Sequence, residues 1–167
     1  RPADWAKNLF VFAAVVFGGK LEGMLPEVFI AFASALGAFV CFSLAGSGIY
    51  IFNDIIDRHT DRKHPVKSNR PIASGQIDIG QAVILSVLCC LLGLGGAYLL
   101  SVKLFFVIAI YILMMVFYSL LFKRVMILDC IVISIGFCLR AIAGAVAVGV
   151  LISPWLIICT FCLCLFL

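Results

Sequence analysis

Asn53, Asp54, Asp57 and Asp61 form an N-D-x-x-D-x-x-x-D array at the end of a long apolar run, and its three carboxylates come from only eight in the chain. On a helix, spacings of three and four bring these carboxylates to one face, with Asn53 on the same row as Asp57 and Asp61. At 1.5 Å rise per residue that face is about 10 Å long. Facing carboxylates repel, so the arrangement calls for a cation. All-oxygen ligands favour a hard one that keeps water and shares phosphate oxygens, which points to Mg²⁺ held by Asn53, Asp54, Asp57 and Asp61 with a diphosphate as cargo.

A capping cluster or a solvated helix end is the plainer use of acidic residues. The adjoining residues favour chemistry: Asn53–Pro71 reads NDIIDRHTDRKHPVKSNRP and interleaves the acids with Arg58, Arg62, Lys63, Lys67 and Arg70. Acids for a metal beside bases for phosphate suit diphosphate chemistry, where the leaving group's charge must be neutralised. Asp54, Asp57 and Asp61 are therefore the candidate catalytic residues. Lys67 and Arg70 are candidate substrate-binding residues, Arg70 being held out toward phosphate oxygens by the extended backbone that Pro71 imposes. Simple charge flanking of a membrane helix is the alternative for these two.

Other polar groups carry competing readings. His59 and His64 flank Asp61 and suggest a transition-metal site, but their spacing separates them on a helix and Pro65 ends it, so the harder Mg²⁺ set is preferred. Tyr118, Lys123, Arg124 and Asp129 form a second polar cluster. In it Asp129 is either a ligand or an acid complementing a helix N-terminus. Arg140 lies two to three turns inside an apolar helix. A guanidinium there faces protein or a water-filled cavity, as a substrate contact or as a structural partner of a neighbouring helix. Tyr118, Lys123, Asp129 and Arg140 complete the candidate substrate-binding set. All eight cysteines lie in apolar runs and read as small buried hydrophobes without disulfides; Cys159-x-x-Cys162 lacks the neighbours a metal or redox site needs.

The elements that must position these residues are membrane helices. Hydrophobic residues make up 65% of the 167, charged ones 12%, and the mean hydropathy is +1.27, outside the range of soluble domains. Apolar runs fall at about Leu9–Gly19, Val28–Phe52, Ala82–Leu100, Leu104–Phe122, Ile127–Val150 and Trp155–Leu167. Four are long enough to cross a ~30 Å hydrocarbon core. Residues 1–167 read as a single all-α, polytopic membrane domain. Because the chain starts at Arg1 without Met and stops inside an apolar run, it is expected to be the truncated N-terminal part of a larger bundle. Arg1, Lys7, Arg58, Arg62, Lys63, Lys67, Arg70, Lys123 and Arg124 fall on one side of the spans and Lys20 and Lys103 on the other, which predicts an inner (plasma) membrane protein with the acidic loop in the cytoplasm. The net charge of +4 reports topology and an anion site; nucleic acid is not expected as a partner.

With these residues in view the chain resembles the UbiA-type intramembrane prenyltransferase superfamily, whose first Asp-rich motif, NxxxDxxxD, is matched by Asn53, Asp57 and Asp61. Within it the strings RPADWAKN, NDIIDRHTDRKHPVKSNRPIASG, YSLLFKRVMILD, GFCLRAIAGAVAVGV and ISPWLIICTF resemble the polyprenyl-phosphate phosphoribosyltransferase branch over nearly the whole chain. The second acidic motif of the superfamily does not occur before Leu167, and four residues separate Tyr118 from Lys123 where three are usual. The resemblance implies a UbiA-like helical bundle with a central cavity, of which about five spans and part of a sixth are present. It implies Mg²⁺-dependent transfer of 5-phosphoribosyl from 5-phosphoribosyl-1-diphosphate to a polyprenyl phosphate lipid, with release of diphosphate. Aromatic prenyl transfer and a non-catalytic lipid-binding or transport role are the alternatives, and homo-oligomerisation is left open.

Overall fold

The computed structural model describes residues 2–18, 25–122 and 126–165. The chain opens in a 3₁₀ helix, Pro2–Phe12, which runs into the short helix α1, Ala13–Phe17; these are followed by α2 Leu25–Asp61, α3 Ile79–Leu100, α4 Val102–Phe117, α5 Met126–Val148 and α6 Pro154–Leu165. Four helical segments, Leu25–Asp61, Ile79–Leu100, Val102–Leu121 and Leu128–Val148, are long and apolar enough to cross a membrane. The fold is all-α, as the composition predicts.

The length of α2 has a functional consequence. Its 37 residues extend about 55 Å, nearly twice a ~30 Å hydrocarbon core, so its last turns can stand clear of the apolar layer. The acid row occupies those turns. The helix stops where the sequence predicts: backbone N–H groups of Lys63 and His64 turn back to the carbonyls of Thr60 and Asp61, just before Pro65 disfavours helical geometry at His64. Asp78 caps α3 by accepting from Gly80 N–H at 2.9 Å, and Ser101, the sole residue between α3 and α4, accepts from Lys103 N–H at 3.2 Å. These reversals return the start of α3 and the end of α4 to the end of the bundle that carries the acid row.

Where helices lack a hydrophobic drive in lipid, close backbone approach holds them together. A Cβ on Gly48 would lie 2.7 Å from the Ser86 carbonyl oxygen, and one on Gly93 would lie 2.8 Å from that of Cys41. Ser86 Oγ also donates to the Gly48 carbonyl at 2.7 Å. Of the small residues before the acid row, Ala45 and Gly48 thus serve α2–α3 contact, while Ser47 accepts from Trp5 Nε1 at 3.0 Å. The core cluster, which includes Phe42, Leu104, Ile108 and Tyr111, lies between α2, α3, α4, α5 and the N-terminal 3₁₀ segment. Large apolar side chains such as Leu85, Leu99, Phe106 and Leu113 point outward. All eight cysteines are free, but Cys130, Cys159 and Cys162 are exposed, which corrects the expectation that every one is buried; apolar spans have outer faces too.

Helix α5 ends on Gly149, whose φ of +71° suits glycine, and Val150 N–H closes the cap on the Ala145 carbonyl. Further back on α5, the Val11 carbonyl occupies the space a Cβ would need at Gly144. Gly144→Ala is expected to push the 3₁₀ segment off α5 and destabilise the full-length protein by about 1–3 kcal/mol. Thermal denaturation in detergent checks this; an unchanged midpoint would mean the contact is dispensable.

Candidate functional site

Helical geometry spreads Asn53, Asp57, Asp61 and Asp54 over an arc of roughly 100° on the last turns of α2. Asn53 stands at one edge and Asp54 at the other. Asp61 is buried and the other three are partly buried. The edge carrying Asp54 and Asp61 is covered by Arg70, whose Nη1 lies 3.2 Å from Asp54 Oδ1 and 2.6 Å from Asp61 Oδ2. The sequence alone directs Arg70 toward phosphate; the structure turns it onto the acid row. Its backbone is extended, φ −64° and ψ 140°, as the residue before Pro71 should be, so the expected local geometry holds while the side chain takes a partner that local geometry does not specify.

The loop that presents Arg70 is built from its own polar groups. Arg62 Nε donates to the Ala73 carbonyl at 2.9 Å, Ser74 N–H donates to the Arg70 carbonyl and Arg70 N–H to that of Lys67. His64 Nδ1 accepts from Val66 and Lys67 N–H at 3.2 and 3.3 Å. That bond occupies a lone pair a metal would need, and His64 itself is exposed, as is His59. Arg58 turns to the Ile55 carbonyl, while Lys63 and Lys67 stand exposed. The arginines of the run are turned onto the protein, Arg58 onto α2, Arg62 onto the loop and Arg70 onto the acid row, while the lysines face outward.

Beside the other edge of the row is a cavity of about 210 Å³, bounded by the N-terminal 3₁₀ segment, α2, the end of α4 and α5. Its polar lining includes Lys7, Asn53, Tyr118, Ser119, Asp129 and Arg140. Tyr118 begins a π-helical turn, Tyr118–Phe122, an irregularity frequent at functional sites. The longer interval between Tyr118 and Lys123 coincides with this change in helical repeat. Tyr118 donates to Asp129 Oδ1 at 2.6 Å. Asp129 thus sits in the first turn of α5, where an acid complements the helix dipole, and also joins α4 to α5 at the cavity wall. Lys123 and Arg124 lie outside the described residues.

Arg140 is 3% exposed. Its Nε donates to Asn8 Oδ1 at 2.7 Å and its Nη2 to the Tyr111 hydroxyl at 3.2 Å, and its guanidinium carbon lies 5.2–5.3 Å from the ring centres of Phe42, Tyr111 and Phe137. Asn8 in turn donates to Ser43 Oγ at 2.9 Å, tying the N-terminal segment to α2 and α5 together. Among the described residues no carboxylate pairs with Arg140. Neutral acceptors and ring faces hold it, and an anion in the cavity would supply the missing charge. Lys7, Asn8 and Tyr111 do not stand out in the sequence. The only hint for the first two is their place in an amphipathic lead-in that also carries Arg1 and Asp4, and Tyr111 looks like any aromatic in a span.

The donor set can be tested against a divalent ion. Asp54 and Asp61 converge on one cationic nitrogen, which shows that their oxygens reach a common positive charge. Among the described residues no group of three or more His, Cys, Asp or Glu side chains is disposed to hold an ion, so Asp57 does not join the other two in this geometry. A pair of carboxylates still fits Mg²⁺, which commonly takes one or two from protein and completes its shell with water and substrate phosphate.

Residues 9–167 match the model of the UbiA prenyltransferase family. Over 160 residues the chain is 36% identical to a decaprenyl-phosphate phosphoribosyltransferase of Mycobacterium tuberculosis, covering 95% of this chain and 52% of that protein. It is 38% identical to the protein of the same description from Mycolicibacterium smegmatis, covering 95% and 49%. The chain spans about half the length of these curated relatives. Its fold matches that of a UbiA homolog from Archaeoglobus fulgidus bound to DMAPP and Mg²⁺, with a TM-score of 0.77 at 21% identity, covering 99% of this chain and 58% of that one.

Proposed function

This chain belongs to the UbiA prenyltransferase family, and from that premise we propose that the protein transfers 5-phosphoribosyl from 5-phosphoribosyl-1-diphosphate to a polyprenyl phosphate. The observation that carries this reading is the placement of an acid row with a basic loop beside a cavity lined by Lys7 and Arg140. A reaction between two phosphorylated substrates needs two anion sites side by side. The similarity to decaprenyl-phosphate phosphoribosyltransferases supports the same choice.

In this scheme Asp54 and Asp61 would hold Mg²⁺ with the donor's diphosphate, and Asp57 and Asn53, on the same helix face, would complete the set when the side chains turn toward the ion. The bound ion supplies charge neutralisation for the departing diphosphate. Lys67 and Arg70 take phosphate oxygens from the loop side. Lys7 and Arg140 draw the lipid's phosphate into the cavity, between Asn53 and the Tyr118–Asp129 pair. A phosphate oxygen of the lipid bonds to ribose C1 as the bond from C1 to the diphosphate oxygen breaks, and diphosphate leaves. That oxygen is already anionic, so no side chain need remove a proton from it. The end bearing Lys7, Arg58, Arg62, Lys63, Lys67 and Arg70 faces the cytoplasm of an inner-membrane protein, with Lys103 on the far side, consistent with the positive-inside rule.

The test is full-length protein in detergent with Mg²⁺, each donor and acceptor pair in turn, and mass analysis of the lipid product. Phosphoribosylated polyprenyl phosphate is the expected product, formed more slowly as salt screens the exposed bases at the entrance. Prenylated 4-hydroxybenzoate with no phosphoribosyl lipid would overturn the assignment in favour of aromatic prenyl transfer. Binding of both substrates without diphosphate release would indicate a lipid-binding protein.

A further inference from the structure

We propose that Arg70 is a resident counter-ion of the acid row, excluding a divalent metal that arrives alone and giving way to one that arrives with diphosphate. The inference rests on the metal assignment above and adds an order to the binding. Arg70 Nη1 stands between Asp54 Oδ1 at 3.2 Å and Asp61 Oδ2 at 2.6 Å, where a metal bridging those carboxylates would have to sit. Guanidinium and metal ion cannot share that place. Each compensates the repulsion of the same carboxylates, and they repel one another.

Exposure indicates which group moves. The side chains of Asp61 and Asp54 are 5% and 13% exposed, that of Arg70 27%, so the carboxylates are the sheltered floor and the guanidinium the outer lid. The backbone beneath Arg70 is held at both sides, by Arg70 N–H on the Lys67 carbonyl and by Ser74 N–H on the Arg70 carbonyl, and Arg62 clamps the loop at Ala73. Exchange therefore needs rotation of one side chain. The guanidinium leaving the row needs an anion to receive it, and diphosphate supplies oxygens for the arginine and for the metal at once. Metal and diphosphate then help one another bind, each to the same degree, as linkage requires.

The experiment uses full-length protein in detergent with Mn²⁺ as a spectroscopic reporter, titrated alone and as its complex with inorganic diphosphate, in wild type, Arg70→Gln, Arg70→Lys and Asp61→Asn. Wild type is expected to bind Mn²⁺ alone weakly and the complex well. Arg70→Gln is expected to bind Mn²⁺ alone about tenfold more tightly, because a charge-assisted competitor is gone, and the complex less tightly. Arg70→Lys, which keeps the charge, should stay near wild type for Mn²⁺ alone. The proposal is overturned if Arg70→Gln binds Mn²⁺ alone no better than wild type, or if Arg70→Lys matches Arg70→Gln. If wild type retains the complex in an Asp61-dependent way while Arg70→Gln changes nothing, only the counter-ion role fails. If Asp61→Asn has no effect on any titration, the metal assignment fails with it.

Discussion

Asp54→Asn, Asp57→Asn and Asp61→Asn each lower turnover of the full-length protein by at least ~10²-fold, since each removes a charge from the surface that neutralises the departing diphosphate. Asp61 is the most sensitive of the three. It is the buried member and makes the shorter contact with Arg70, so the amide also leaves a guanidinium short of its partner. Folding survives, because the row occupies the last turns of α2, beyond the cluster around Phe42 and Tyr111 that packs the helices together. Turnover assays on correctly inserted variants, with melting temperatures measured in parallel, check the expectation. Wild-type turnover in these variants, or activity undiminished by EDTA, would defeat the metal assignment.

Arg140→Met lowers the apparent affinity for the polyprenyl phosphate by about tenfold or more, the scale of a lost charge-assisted contact to phosphate, and leaves the donor constant unchanged. The effect on stability is a balance. Asn8 Oδ1 loses its donor at 2.7 Å, costing about 1–3 kcal/mol, and the ring contacts of Phe42, Tyr111 and Phe137 lose about 0.5–2 kcal/mol. Against this, a buried guanidinium without a carboxylate is removed from a low-dielectric interior. Asn8→Asp separates charge from shape: it places a carboxylate against Arg140 with almost no change in volume. Acceptor use should fall in that variant too, with Arg140 still in place. Acceptor constants and melting temperatures for both variants decide the matter; greater stability with unchanged acceptor use would make Arg140 a purely structural residue.

Whatever depends on neighbours along the chain was legible in the sequence. Apolar runs of sufficient length made four helices long enough to span a membrane, because segment length against hydrocarbon thickness is a local property. Carboxylates three and four residues apart shared a helix face because 3.6 residues make a turn, and Pro65 and Pro71 marked a helix end and an extended residue for equally local reasons. Which groups meet across the fold was settled by tertiary packing. Arg70 and Asp54 are sixteen residues apart and Arg140 and Asn8 are 132 apart, distances at which spacing carries no information about contact. The same limit applies to Arg62, one base of the run, whose side chain meets the Ala73 carbonyl. An arginine near a phosphate site looks identical in sequence whether it touches the ligand or the loop that holds it. Lys7 became part of the cavity wall only when the N-terminal segment folded against α2 and α5, and Tyr111 met Arg140 only when α4 packed on α5, because a buried charge takes its meaning from the groups that surround it in space.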